Sequence, residues 1–245
     1  MYNSILTEFR DRYAQDLIIE CFGEESELYA QDFKITESLY LKYEDLILKN
    51  LDIIQNKHIV DVGSGTGIWG ILMLMHGAAG VTCVEPRQQF SNGLERVIQK
   101  HKLNMNSICD FHTYALQNEY DTAMLAGVCD LIPDIVQYLD NLGKSCQYIF
   151  IKNGVHNVEP DSAKLEIHHN MHHRAGFNFK QPVNDLLGMQ TNIVDAIDKP
   201  NIGQYTQYRF GTNYISNIAQ YLQYDIIRKY INEEQRKQFL VLKTR

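Results

Sequence analysis

Three glycines at alternate positions, Gly63, Gly65 and Gly67, follow one acid, Asp61, and precede another, Glu85. Glycines so spaced let the backbone take positive φ and lie flat beneath a bulky ligand, because no Cβ intervenes. A carboxylate beside such a ledge suits a ligand with a free amino group and would repel a pyrophosphate. The overlapping frame Gly65-Thr66-Gly67-Ile68-Trp69-Gly70 also satisfies the G-x-G-x-x-G dinucleotide pattern, with Glu85 following at the spacing of its ribose acid. A nicotinamide dinucleotide is therefore the competing ligand. Against it, the β-branched run stops at Val62, so the chain turns at Gly63 and not at Gly65.

Other residues could move a proton. The stretch His168-His169-Asn170-Met171-His172-His173, if helical, pairs His168 with His172 and His169 with His173 at a spacing that can chelate zinc or iron. No nearby cysteine completes such a site and Glu166 is the only adjacent carboxylate, so no metal is expected. An imidazole titrates near neutral pH, which makes His168 and His172 candidates for a general base. Asp130 is a further candidate base, with a dipole role at a helix N-terminus as its alternative.

The elements that must position these residues follow from periodicity. A strand over 59–62 runs into the glycine turn and then a helix striped by Ile68, Ile71, Leu72 and Met75. Val81–Val84 reads as a second, fully buried strand, and Pro86 makes the chain leave it just after Glu85. An acid at that strand end in a doubly wound sheet can accept both hydroxyls of a ribose. A helix from about 90, strands near 107–111, 122–126 and 147–151, and a helix begun by Pro133 continue the alternation. Two helices, over 4–21 and 36–51, precede the first strand. After a polar, histidine-rich stretch, Ser216 caps a helix, and strands over 224–231 and 238–243 close the chain. This is a doubly wound α/β pattern. Its expected divisions are a helical cap (1–52), a ligand-binding half (53–153), an insertion (154–213) and a closing segment (214–245).

The run Val60-Asp61-Val62-Gly63-Ser64-Gly65-Thr66-Gly67 resembles the first motif of the class I S-adenosylmethionine-dependent methyltransferases. The resemblance spans residues 53–153 and 214–245. It implies a mostly parallel seven-stranded sheet, finished by a helix and an antiparallel hairpin, with S-adenosylmethionine as cofactor. In that family Glu85 matches the ribose-binding acid, and Asp61 holds the amino-acid end of the cofactor directly or through water. Gly63, Ser64, Gly65 and Gly67 give close backbone approach, with Pro86 and Ala126 beside them at the strand ends. Many members place an Asp-Ala pair after the third strand to hold the adenine amine. Here the pair is Tyr114-Ala115, so Tyr114, as a stacking ring, and Thr113, as a polar neighbour, are the candidates, with a backbone amide as the alternative. The run from Gly127 to Asp134 is similar to the Leu-Glu-His-Ile-Pro-Asp run of many small-molecule methyltransferases, with Leu131 in place of the histidine.

The implied reaction is in-line methyl transfer to an O or N atom of a small molecule or a polymer end. RNA or protein methylation, and a non-catalytic cofactor-binding partner, are the alternatives; the partner reading is motivated by the departures at Tyr114 and Leu131. No Asp-Pro-Pro-Tyr or Asn-Pro-Pro-Tyr follows the fourth strand, and Cys129 lacks the preceding proline of cytosine-carbon methylation. Duplex DNA is thereby disfavoured and a small molecule favoured.

Composition supplies ample material for a buried core. The chain of 245 residues is 44% hydrophobic and carries a formal charge of −7, which gives no bulk attraction to nucleic acid. Five cysteines without a C-x-x-C pair read as reduced thiols and a cytoplasmic address. Neither a signal peptide nor an apolar run of about 20 residues, as a membrane span requires, is evident.

Overall fold

Strand β1 (His58–Val62) has Ile59, Val60 and Val62 buried, and it lies parallel to β2 (Gly80–Val84), with Val62 opposite Val84. β3 (Met105–Ile108) extends the parallel set beyond β2, and β4 (Tyr120–Ala126) pairs parallel to β1 on its other side. The computed structural model describes residues 2–23, 37–132, 134–154, 160–161, 163–171, 203–232 and 237–245. With β5 (Cys146–Gly154), β8 (Asp225–Asn232) and β9 (Lys237–Lys243), seven strands form one sheet in the order β3-β2-β1-β4-β5-β9-β8. Strand order reverses between β1 and β4, the point outside whose carboxyl ends open α/β sheets bind ligands. By contacts the chain divides into two compact units, residues 1–124 and 125–245.

In the first unit, α1 (Tyr2–Phe9), a π-turn over Arg10–Ala14 and α2 (Gln15–Phe22) run consecutively, and Gly23 at φ 54° ends them. The expected stripe of Leu6, Phe9, Tyr13 and Leu17 is buried. The second expected helix is broken into α3 (Glu37–Leu46) and a 3₁₀ segment over Leu48–Ile53. Its break has a visible cause: the buried Asn50 amide donates to the carbonyls of Asp45 and Leu46, satisfying them in place of the next helical turn. α4 (Ile68–Met75) follows the glycine turn and α5 (Gln88–His101) follows β2. The third strand starts two residues earlier than its apolar run indicated. Its register with β2, Val81 opposite Met105 through Val84 opposite Ile108, overrides the local pattern.

The N-terminal helices act as a packing layer on α5. Gln89 Nε2 donates to the Cys21 carbonyl at 2.7 Å, Lys100 pairs with Asp16 at 2.8 Å, and Arg96 pairs with Glu20. Close approach needs Gly93, where an added Cβ would lie 2.6 Å from the Glu20 carbonyl oxygen.

The second unit contains α6 (Ile135–Ser145), β5 (Cys146–Gly154), α7 (Tyr214–Tyr221), β8 (Asp225–Asn232) and β9 (Lys237–Lys243). β9 is antiparallel to both β5 and β8, so the closing hairpin forms as expected. Two details differ. Ser216 lies inside α7, whose N-cap position is Asn213, and α6 begins at Ile135 with Asp134 accepting from the Gln137 amide. Pro133 is outside the described residues. The polar stretch that lacked clear periodicity holds β6 (Ala163–Met171) and β7 (Gly203–Phe210), an antiparallel two-stranded sheet.

Replacing Gly93 with alanine drives a methyl into the Glu20 backbone, so Gly93→Ala should destabilise the fold by about 1–3 kcal/mol, the usual cost of overpacking. Denaturant unfolding checks this, and a change below about 0.5 kcal/mol, the level of a neutral surface substitution, would remove the close packing of α2 on α5.

Candidate functional site

The glycine turn is anchored to the carboxyl end of β2. The amides of Gly63 and Ser64 both donate to the Val84 carbonyl, at 2.8 and 3.2 Å. Gly63, Gly65 and Gly67 have φ of 70°, 59° and 79°, a region that L side chains rarely adopt. Gly67 is doubly constrained, since a Cβ there would lie 2.5 Å from Leu94 of α5. The chain turns immediately after Val62, as the strand run indicated.

Two carboxylates flank this turn, and both are nearly sealed from solvent: Asp61 is 1% exposed and Glu85 3%. Glu85 accepts from the Gly65 amide at 2.8 Å, so the second acid is bonded directly to the ledge. Asp61 Oδ2 is buried with no hydrogen-bond partner among the described residues. Burial, helped by repulsion from Glu85, pushes the Asp61 carboxyl up to about 7. A lone buried acid of this kind is satisfied by a cationic donor.

Thr113 and Tyr114 sit in a 3₁₀ turn over His112–Leu116 that packs against β1 and β2; Thr113 is exposed and Tyr114 half-buried. Pro86 follows Glu85, and its carbonyl accepts from the Cys109 thiol at 3.7 Å. Cys109 is exposed. The structure thus brings Asp61, Gly63, Ser64, Gly65, Gly67, Glu85, Pro86, Thr113 and Tyr114 to the strand ends of one unit.

In the second unit, Ala126 ends β4 and Asp130 lies in a short 3₁₀ turn over Cys129–Leu131. Asp134 caps α6 by accepting from the Gln137 amide, while Asp130 is the acid in the first turn of the 3₁₀ segment. His168 lies in β6 opposite Tyr205, in a strand and not a helix, which removes the helical i, i+4 pairing on which metal chelation was considered. His172 is outside the described residues.

Sequence reasoning missed Arg87. Its Nε donates to Glu85 Oε1 at 2.5 Å and its Nη2 to Oε2 at 3.1 Å, while its guanidinium lies 4.0 Å from the Phe90 ring centroid. An arginine two residues after the acid was a weak cue. Periodicity says nothing of a residue in a turn.

A family model described as GidB, rRNA small subunit methyltransferase G, matches residues 23–180, more than half of the chain. The chain belongs to this family. It is an S-adenosylmethionine-dependent methyltransferase, which decides between the two nucleotide-type ligands that the glycines allowed. No curated protein matches it in sequence. Among solved structures it is similar to an S-adenosylmethionine-dependent methyltransferase from Clostridium acetobutylicum, at 12% identity and TM-score 0.57, over 91% of this chain and 99% of that one. It is also similar to magnesium protoporphyrin IX methyltransferase from Synechocystis, at 11% identity and TM-score 0.55, over 99% and 96% of the two chains. A third likeness is a Leishmania major methyltransferase, at 12% identity and TM-score 0.56, over 99% and 82%. These likenesses establish the class I methyltransferase fold. Among the described residues no helix is long and apolar enough to cross a membrane.

Asp61 gives the family fold a pH signature. Its folded-state pKa, about 7, lies above the ordinary carboxylate range, so the folded chain holds a proton that the unfolded chain releases. Stability from this group is therefore greatest at low pH and falls as pH rises from about 4 to about 7. Asp61→Asn should remove that decline and be more stable than the parent at pH 8, by on the order of 2–4 kcal/mol. Urea titrations at pH 5 and pH 8 check this, and an unchanged pH slope would place the proton elsewhere.

Proposed function

We propose that the glycine turn, Asp61 and Glu85 seat S-adenosylmethionine, and that the methyl group goes to a base nitrogen of RNA. The observation that carries the first part is the buried Asp61 oxygen, unpartnered among the described residues, beside three positive-φ glycines. A cationic α-amino group satisfies that oxygen, and the raised Asp61 pKa falls when it arrives. Glu85 takes the ribose hydroxyls, Gly63, Ser64, Gly65 and Gly67 lie against the ligand, and Pro86 and Ala126 flank it. Tyr114 stacks on the adenine with Thr113 as its polar neighbour.

The RNA acceptor rests on family membership, because the matching family is described as an rRNA methyltransferase. Bound S-adenosylmethionine supplies a methyl group already activated by positive sulfur. An aromatic nitrogen with a free lone pair needs orientation but no base, which agrees with Leu131 standing where a histidine is usual. For an acceptor that must lose a proton, Asp130, His168 and His172 are the residues we assign. A formal charge of −7 makes binding depend on shape and local contacts more than on general attraction to phosphate.

Glu85→Ala should weaken S-adenosylhomocysteine binding by about 1.5–3 kcal/mol, the worth of hydrogen bonds to a charged acceptor. Isothermal titration calorimetry measures it, and unchanged affinity would take Glu85 out of the site. Incubating the enzyme with methyl-labelled cofactor and a cell extract should put label into RNA that nuclease treatment releases as nucleotides. Label confined to small metabolites would overturn the RNA acceptor and leave the cofactor assignment standing.

A further inference from the structure

Every acceptor position on Glu85 is taken. Oε1 accepts from the Arg87 amide at 3.1 Å and from Arg87 Nε at 2.5 Å. Oε2 accepts from the Gly65 amide at 2.8 Å and from Arg87 Nη2 at 3.1 Å. A carboxylate offers about four lone-pair sites, so this one is full. Two sites are held by backbone that cannot leave without undoing the turn. The other two, one on each oxygen, are held by a single guanidinium fork. A ribose diol brings two O–H donors to the same pair of oxygens.

We propose that Arg87 is an internal competitor for the ribose subsite: its guanidinium stands in for the two hydroxyls and must withdraw for the cofactor to bind, so Arg87 sets cofactor affinity. This rests on the seating of the cofactor at Glu85 proposed above. The fork's position supports it. A Cβ added at Gly65 would lie 3.6 Å from Arg87 Nη2, so the guanidinium lies over the glycine ledge itself. It is held there from outside: the Arg87 side chain rests on Phe90, whose ring meets Phe22 of α2 edge-on at 5.2 Å. The pair is little exposed, 19% for the Arg87 side chain and 4% for Glu85, so solvent screens it weakly.

A competing role and an orienting role predict opposite signs. The amides of Gly65 and Arg87 keep the carboxylate in place without the guanidinium, so truncating Arg87 leaves an aimed acceptor with two open sites. Affinity then rises, because no fraction of the enzyme is withheld in the closed form. If Arg87 served to aim Glu85, the same truncation would lower affinity.

Calorimetric titration of the full chain with S-adenosylhomocysteine, comparing the parent with Arg87→Ala, Arg87→Lys and Glu85→Ala, tests this. Arg87→Ala should bind about 5–10-fold tighter, as release from a closed form populated at about 80–90% requires. Thermal unfolding should show a lower Tm without ligand, since a buried charge loses its partner, and a larger ligand-induced rise. Arg87→Lys, with a point charge and no planar fork, should fall between. Equal or weaker binding by both Arg87 variants, with the parent binding and Glu85→Ala impaired, would overturn the competition and leave the seating intact. Parent and Glu85→Ala binding alike, or neither binding, would overturn the seating and this inference with it.

Discussion

The bond from the Gly65 amide to the Glu85 carboxylate joins the two halves of the ligand ledge. It depends on β1 and β2 running parallel and ending level, with Val62 opposite Val84, so that the glycine turn and the acid emerge side by side. The Gly63 and Ser64 amides reinforce the level ending by donating to the Val84 carbonyl. A slip of one residue would turn Asp61 and its neighbours to the opposite face of the sheet and break all three bonds. The remaining elements of the first unit serve this alignment: Leu94 of α5 fills the space over Gly67, and Cys83 and Met105 lie within contact of Gly70.

Two acids buried around one turn are electrostatically costly, and the molecule meets the cost differently for each. Asp61, with one oxygen that has no hydrogen-bond partner among the described residues, holds its proton to about pH 7. Glu85 is surrounded by two amides and an arginine. Under the proposed seating, a cation meets Asp61 and a pair of hydroxyls meets Glu85. An adenosyl amino acid carries both, so the proposal and membership of a methyltransferase family agree on the ligand.

Much of this was legible in the sequence because it depends on short-range rules. Glycines that need positive φ, β-branched runs that must be buried, and an acid followed by proline at a strand end are all local signals. They located β1, β2, the turn and the closing hairpin to within a few residues. What was not legible depends on partners distant in the chain. The start of β3 is decided by pairing with β2, and the break after α3 by where the Asn50 amide points. The histidine run has helical spacing on paper, yet its first member lies in a strand because β7, supplied from beyond residue 200, pairs with it. Arg87 was invisible for a related reason: a side chain's choice of partner is a matter of rotamer and burial that no pattern records.

The most direct measurement is a crystal structure of the chain with S-adenosylhomocysteine. The expected structure has the α-amino group within hydrogen-bonding distance of Asp61, both ribose hydroxyls on Glu85, and the nucleoside lying over Gly63, Gly65 and Gly67. Product bound elsewhere, with Asp61 and Glu85 untouched, would contradict it.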